Sequence, residues 1–376
     1  MQYTLNITEN CNMLCTYCRL DKQPKTMTKT VAYKAVDMIF QDKSESINIG
    51  FYGGEPLLCK DLIKDIVAYT KEKNAAATAH KKIYFKITTN GTLLDEDFLK
   101  YAKQEGILLA LSLDGTQVAH DRNRTLKDGS GTYDRVLEIV PQMLKYNKYT
   151  PAMITVTPNN VADFAQSVEH IYKLGFIYLM CAFDYQSEWD EEDFKQLKRQ
   201  YKKLAEFYYE NTIKENKFFL SPFESKIQSH IKNREYCAQR CILGYEQIVV
   251  GADGKLYPCL SFLGVEEYCI GNVDGVIDGE RRKSIFEKSR SEHPECEQCE
   301  IRTRCFHQCA CMNFKTTGDV NEPSPFMCAN ERLLIPITDK VASRLYNARN
   351  GMFIQKSYNE FYSLVSLTED SEKQEV

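Results

Sequence analysis

Apolar stretches rich in β-branched and aromatic residues recur six times in the first half of the chain, at 3–7, 47–52, 83–89, 107–113, 152–156 and 176–183. Each has strand length and strand composition. Between them, at 31–40, 62–69, 96–103, 133–146 and 162–174, apolar residues return every three or four positions, the period of an amphipathic helix. Strands alternating with helices call for parallel βα units with right-handed crossovers. The pattern therefore predicts an α/β fold over residues 1–190, a partial (β/α)6 TIM-like barrel left open on one side. In such sheets the chemistry gathers in the loops that follow the strands.

Beyond residue 190 the pattern changes. Residues 191–216 carry Phe194, Leu197, Tyr201, Leu204, Phe207 and Tyr208 along an otherwise charged helix, and Pro222 opens a shorter one. Residues 191–236 therefore read as a helical bridge. A cysteine-rich domain is predicted over 237–332, in which 247–250 and 255–257 form a hairpin turning through Gly251-Ala252-Asp253-Gly254. An apolar-periodic C-terminal helical segment, 333–367, is expected to pack back on the barrel, and the polar residues 368–376 to fray.

Composition narrows the function classes. A net charge of -4 over 376 residues supplies no basic field for nucleic acid. The start lacks a basic segment followed by an apolar one, and no window approaches the roughly 18 apolar residues of a membrane span. The expectation is a soluble cytoplasmic protein with no nucleic-acid or membrane partner. Fifteen cysteines in a long chain, grouped at metal-ligand spacings, point to metal centres rather than a secreted disulfide scaffold. Oxygen-labile clusters would imply an anaerobic or strongly reducing host.

The first group, Cys11-x3-Cys15-x2-Cys18, follows the first strand directly. A loop this short can aim three sulfurs at one centre. Four cysteines usually tie an iron–sulfur cube, so three leave one iron open to a small-molecule chelate. A zinc knuckle with a distant fourth ligand fits the same spacing. Gly53-Gly54-Glu55-Pro56 follows the second strand, Thr89-Asn90-Gly91 the third and Ser112-Leu113-Asp114-Gly115 the fourth. The glycines are expected to let backbone approach a ligand closely, Glu55 to accept from an ammonium group, and Pro56 to fix the exit.

On these motifs the chain resembles the radical S-adenosylmethionine enzymes, whose C-x3-C-x2-C loop has an aromatic residue before its last cysteine, here Tyr17. The resemblance implies a 4Fe-4S cluster on Cys11, Cys15 and Cys18. It also implies S-adenosylmethionine held by Tyr17, Gly53, Gly54, Glu55, Pro56, Asn90, Ser112, Asp114 and Arg124. Ser112 and Arg124 would take the methionine carboxylate, for which the planar guanidinium fork is suited. Asp114 would cap its loop or touch the ribose.

The second half is similar to the SPASM domain. Its spacings are Cys237-x3-Cys241, Gly254-x4-Cys259, then Cys296-x2-Cys299-x5-Cys305-x3-Cys309, then Cys328. The resemblance implies two auxiliary 4Fe-4S clusters, the first on Cys237, Cys241, Cys259 and Cys309 and the second on Cys296, Cys299, Cys305 and Cys328. Cys237 lies outside the seven-cysteine pattern, and without it the first auxiliary cluster would offer an open iron to a substrate thiolate. Cys59, Cys181, Cys269 and Cys311 are left as buried or idle thiols, and His307 as a loop residue. A pair of zinc ribbons is the plainer alternative.

By the same resemblance, an electron from the first cluster cleaves S-adenosylmethionine to a radical that takes a hydrogen from substrate. The leading expectation is a maturase of ribosomally made peptides that forms a crosslink, a cysteine thioether above others. The second is an anaerobic sulfatase-maturing enzyme, which converts cysteine or serine to formylglycine. Those enzymes carry an aspartate directly after the cysteine of a Tyr-Pro-Cys segment, proposed as a base. Here Leu260 follows Tyr257-Pro258-Cys259, and no general base is nominated. A non-catalytic iron–sulfur carrier is the reading from another class. The implied partners are a precursor peptide and an external electron donor, flavodoxin or ferredoxin. Since so little chain precedes Cys11, peptide recognition is expected to rest on a separate leader-peptide-binding protein or on the SPASM surface.

Overall fold

The fold was analysed in a computed structural model that describes residues 1–232, 241–291, 293–305, 309–362 and 366. Cys237, His307 and the predicted tail 368–376 lie outside the described residues. The first half runs β1 (Gln2–Thr8), α1 (Lys29–Gln41), β2 (Ser46–Gly53), α2 (Lys60–Ala76), β3 (Lys82–Thr89), α3 (Glu96–Glu105) and β4 (Ile107–Ser112). It continues through α4 (Gln117–Asp121), α5 (Tyr133–Tyr146), β5 (Pro151–Val156), α6 (Phe164–Lys173) and β6 (Tyr178–Phe183). Strands β1 to β6 pair in parallel and in chain order, as βα units joined by crossovers require.

Both edges of this sheet are extended. After α7 (Glu191–Ile213), the two-residue β7 (Phe219–Leu220) pairs with β6, and α8 (Ser221–Lys232) follows. At the other edge β8 (Gln247–Val250) pairs in parallel with β1, setting Ile248 opposite Tyr3 and Val250 opposite Leu5. The predicted hairpin is present: β9 (Lys255–Tyr257) returns antiparallel to β8, and β10 (Gly271–Asn272) adds to it. Gly254 takes φ +85 in the turn, a conformation that costs glycine little. The hairpin thus belongs to one ten-stranded sheet with the barrel strands, and the turn after β9 is carried to the barrel mouth.

The alternation read in the first strand has a different meaning from inside against water. Tyr3, Leu5 and Ile7 are buried among the helices, but Thr4, Asn6 and Thr8, on the opposite face, are buried as well. A parallel sheet covered on both sides hides both faces of a strand, and here the polar face lines the barrel interior. Ala32, Val36 and Ile39 of α1 and Ile63, Ile66 and Val67 of α2 join the helix-side core.

The cysteine-rich half continues with α9 (Gly279–Arg290), α10 (Pro294–Glu297), α11 (Ala310–Thr317), α12 (Pro325–Asn347) and α13 (Gly351–Tyr358). The division drawn between residues 332 and 333 falls inside α12. Ser324 accepts from the Met327 amide as N-cap with Pro325 at the first helical position, a start signal that places Cys328 in the opening turn. Helix α12 packs on α7 and α8, where the Tyr201 hydroxyl donates to Asn330 Oδ1 at 2.6 Å.

Lys226 of α8 and Glu331 of α12 form a fully buried ion pair, and Lys226 Nζ also donates to the Arg304 carbonyl at 2.9 Å. Burial pushes the Glu331 carboxyl up despite Lys226. Removing one partner strands the other charge in the core. Glu331→Ala should therefore destabilise the protein by about 3–5 kcal/mol in chemical denaturation. The double change Lys226→Met with Glu331→Leu should recover most of that loss, and an unchanged midpoint for the single variant would contradict the assignment.

Candidate active site

A cavity of about 480 Å³ opens at the C-terminal ends of the barrel strands. Cys11, Cys15, Tyr17 and Cys18 enter it from the loop after β1, Gly53, Gly54 and Glu55 from the end of β2, and Asn90 from the end of β3. Ser112 lines it at the end of β4 and Arg124 just beyond α4. Pro56 and Asp114 do not line the cavity, so two predicted contacts stand behind its wall.

The cysteine loop is fastened at both ends and across its middle. Met27 donates its amide to the Ile7 carbonyl and Glu9 to that of Lys25, closing the base of the loop. The amides of Leu14 and Thr16 donate to the carbonyls of Thr125 and Asn123. Asn90 Nδ2 donates to Asn12 Oδ1 at 3.0 Å, and Asn12 Nδ2 to Thr92 Oγ1 at 2.8 Å. Burial pushes the Cys11 and Cys15 thiols up, and the neighbouring sulfurs add to it, while the Met13 amide and Arg124 respectively pull them down. Such thiols lose their protons to a metal more readily than to water.

The two glycines, besides lining the cavity, admit a close approach of backbone. A Cβ on Gly54 would lie 2.1 Å from the Asn10 carbonyl oxygen and 3.0 Å from Cys11 Cβ, and one on Gly53 would lie 2.2 Å from the Thr8 carbonyl oxygen. The close approach is therefore to the backbone of the cysteine loop. In the same crossing Gly54 N donates to Thr8 O and Glu55 N to Asn10 O, each at 2.9 Å.

Glu55 is buried and already held. Its Oε1 accepts from Leu57 N at 3.0 Å and Thr89 Oγ1 at 2.7 Å, and its Oε2 from Asn90 N at 2.8 Å. Burial raises its carboxyl even against these bonds. Among the described residues it is the single carboxylate lining the cavity. Asp114 is a brace: Oδ2 accepts from the Tyr17 hydroxyl and from Arg124 Nε, both at 2.9 Å, and Oδ1 from Thr155 N at 2.8 Å. Asp114 and Arg124 are buried, and Tyr17 is half-buried at the cavity wall. Burial would pull the Arg124 guanidinium down, but Asp114 and Tyr17 more than offset it. The guanidinium also sits 5.3 Å from the centre of the Tyr17 ring, within cation–π range.

Two further groups of thiols lie in the cysteine-rich half. Cys296, Cys299, Cys305 and Cys328 line one cavity of about 190 Å³, so the fold brings α12's first turn to the loops around α10. Arg332 Nη2 lies 3.6 Å from Cys299 Sγ. In the other group burial, and after it the nearby Cys259 sulfur, pushes the Cys241 thiol up. Cys311, expected to be an idle thiol, packs on the same small core, with its Sγ 3.5 Å from Cys309 Sγ.

Residues 5–171 match the model of the radical SAM superfamily, and residues 241–300 match that of the SPASM iron–sulfur cluster-binding domain. The chain is a radical SAM enzyme with a C-terminal SPASM domain. It is 24% identical over 336 residues to the cysteine-type anaerobic sulfatase-maturating enzyme of Clostridium perfringens (strain 13 / Type A), spanning 82% of this chain and 89% of that one. To the serine-type anaerobic sulfatase-maturating enzyme of Bacteroides thetaiotaomicron it is 23% identical over 391 residues, covering 93% of each chain. A solved structure described as native anSMEcpe with bound AdoMet and Cp18Cys peptide superposes with a TM-score of 0.79 at 21% identity, over 92% of this chain and 99% of that one. Streptococcus suis SuiB bound to precursor peptide SuiA gives 0.59 at 15% identity, over 87% and 75%.

For this radical SAM enzyme the crossing at Gly54 makes a sharp prediction. Gly54→Ala forces a Cβ into the Asn10 carbonyl and should displace the cysteine loop. Iron after reconstitution should fall by about four atoms per chain, with the cysteine-rich half still loaded. Full iron content in that variant would contradict the reading.

His120 supplies a pH prediction. It is buried, its Nδ1 accepts from Asp114 N at 3.2 Å and its Nε2 meets Thr132 Oγ1 at 3.0 Å. Thr132 Oγ1 donates onward to the Arg124 carbonyl, so Nε2 carries the proton. Burial, then Arg124, lowers this imidazole to about 4. The unfolded chain therefore binds a proton here before the folded one does. Stability should fall as pH drops from about 6.5 towards 4, with a slope approaching 1.4 kcal/mol per pH unit from this site. Denaturation of His120→Gln across that window should show a shallower slope, and an unchanged slope would count against it.

Proposed function

We propose that this enzyme modifies a peptide, abstracting a hydrogen from one of its carbons and closing a cysteine thioether crosslink. Cys11, Cys15 and Cys18 would hold a 4Fe-4S cluster at three corners, and Glu55, Asn90, Ser112 and Arg124 would hold S-adenosylmethionine beside it. When bound, these groups supply the radical chemistry. The SPASM half would hold two more clusters, three in all.

The fit rests on donors and acceptors already set in place. Arg124 commits Nε to Asp114, which fixes the guanidinium plane and leaves its terminal nitrogens, one of them 4.0 Å from Cys15 Sγ, to meet a carboxylate. Glu55 Oε2 accepts one protein bond and retains a lone pair for an ammonium donor. Tyr17 holds Asp114 from the cluster side. Each residue is thus oriented before a ligand arrives, which lowers the cost of ordering on binding.

The observation that carries the crosslinking reading lies at the cavity wall facing the SPASM half. Leu260, Ser261 and Leu263, in the turn after β9, line the cavity together with Lys315 of α11. Where the formylglycine-forming enzymes place an aspartate, this chain presents the apolar Leu260. Met153, Met180 and Ala182 face it from β5 and β6. The apolar part of this lining, Leu260 and Leu263 with Met153, Met180 and Ala182, suits apolar side chains of a peptide and would limit water at the reacting carbon. The named sulfatase-maturating relatives, similar over most of the chain, support formylglycine formation as the second reading.

The test is coexpression with a short cysteine-rich peptide encoded beside the gene, together with anaerobic assay of the reconstituted, reduced enzyme. The crosslinking reading expects 5'-deoxyadenosine and a peptide that has lost a hydrogen pair, with one thiol closed to alkylation and its sulfur retained. An aldehyde formed on a sulfatase-derived peptide with loss of sulfur would overturn it in favour of the second reading. No cleavage of S-adenosylmethionine would leave an electron carrier. Leu260→Asp should reduce crosslinking at least tenfold while 5'-deoxyadenosine is still released, because a charge desolvated against the apolar wall disfavours peptide seating.

A further inference from the structure

We infer that Lys315 of α11 sets specificity by taking a carboxylate of the substrate peptide, so that the peptide carries an acidic group close to the residue that is modified. The inference rests on the peptide-modifying reading above and names the chemistry of the peptide it would take.

The charges on the cavity wall carry it. Four cations line the cavity, Arg19, Lys22, Arg124 and Lys315, against the one carboxylate of Glu55 among the described residues. Two of the four are answered from within the fold: Arg124 by Asp114 at 2.9 Å and Arg19 by Asp184 at 3.6 Å. Lys22 follows the cysteine loop four residues after Cys18, where thiolates and a cluster would gather negative charge. Lys315 is half-buried on the SPASM side of the cavity. Among the described residues it has neither an ion-pair nor a hydrogen-bond partner. S-adenosylmethionine would not answer it, because its single carboxylate goes to Arg124 and its ammonium and sulfonium are both positive. An ammonium partly withdrawn from water is best matched by a carboxylate, through a charge-assisted bond.

Position puts this group in the path of a peptide. Beside the first cavity lies a second of about 350 Å³, and Gln186 and Lys315 line both. Lys315 therefore stands at the passage between them. Tyr185, Trp189, Phe194 and Phe326 form an aromatic wall beyond it, with the Trp189 and Phe326 ring centres 4.7 Å apart. A peptide extending from the first cavity into the second passes the Lys315 ammonium. The rings at the passage lower the local dielectric, which strengthens a charge pair formed there. Lys315 acts by binding alone, and no bond of the peptide is made or broken at it.

The test is affinity selection on the immobilised, reconstituted full chain with S-adenosylmethionine, from a synthetic pool of short peptides with a central cysteine and randomised flanks. One pool ends in a free carboxylate and a second in an amide, and retained peptides are sequenced by mass spectrometry. The wild type should enrich aspartate and glutamate about tenfold at a fixed distance from the cysteine, as one charge-assisted bond allows. Lys315→Met should lose that enrichment, and Lys315→Glu should enrich lysine and arginine at the same position, with iron content confirming that both variants fold. Enrichment of the acid pool alone, lost in the same two variants, would assign the carboxylate to the peptide's end. A wild type with no acidic preference, or one that persists in both variants, would overturn the inference. Retention of no peptide from either pool would instead sink the peptide-modifying reading beneath it.

Discussion

The site depends on one backbone crossing. Where β2 ends, Gly53 and Gly54 pass so close to Thr8 and Asn10 that no side chain fits between them, and two amide hydrogen bonds lock the passage. This contact sets the cysteine loop against Glu55, and Glu55 in turn holds the end of β3 through Thr89 and Asn90. Asn90 then reaches back to Asn12 beside Cys11. A closed ring of bonds links three strand ends and the thiols, so the position of the sulfurs is determined by the sheet. A preorganised site of this kind spends its strain and desolvation during folding.

A second brace acts from the other side of the cavity. Asp114 is surrounded by donors from β5, Tyr17 and Arg124, and His120 receives the Asp114 amide. Neutral His120 and charged Arg124 sit next to one another without repulsion because burial keeps the imidazole unprotonated. The SPASM half is joined to this machinery by strand pairing, since β8 hydrogen-bonds to β1 and β9 to β8 on the sheet edge, and by packing of α12 on α7 and α8. The buried Lys226–Glu331 pair fixes the register of that second joint. Few apolar side chains surround the sulfurs themselves, so the cysteine-rich half is held largely by its attachment and by whatever its thiols bind.

Much of the barrel was legible because parallel βα units write strong periodicities into the chain. All six strands and five main helices lie where hydrophobic pattern put them, within two residues for most ends. The additions at the edges were not legible: β7 and β10 have two residues each, too few for a period, and pairing of β8 with β1 joins positions 245 residues apart, as Gln2 and Gln247 show. The start of α12 was hidden because cysteine spacing dominated the text around Ser324 and Pro325. At the site, residue types singled out the amino-terminal thiols and Arg124 as candidates, which the fold brings to one cavity, but the partners that decide roles are distant in sequence. Nothing local distinguishes a glycine that admits a ligand from Gly54, which admits Asn10, or an aspartate facing a ribose from Asp114, which faces Arg124.

The central claim is that the amino-terminal thiols hold iron at three corners and leave the fourth to the methionine end of the nucleotide. Electron–nuclear double resonance on the reduced, reconstituted enzyme, with S-adenosylmethionine isotopically labelled at its amino nitrogen, tests it most directly. A hyperfine coupling between the label and the cluster that disappears in Cys15→Ala is the predicted result. A bound nucleotide with no such coupling, or a protein side chain found on the fourth iron, would contradict the account.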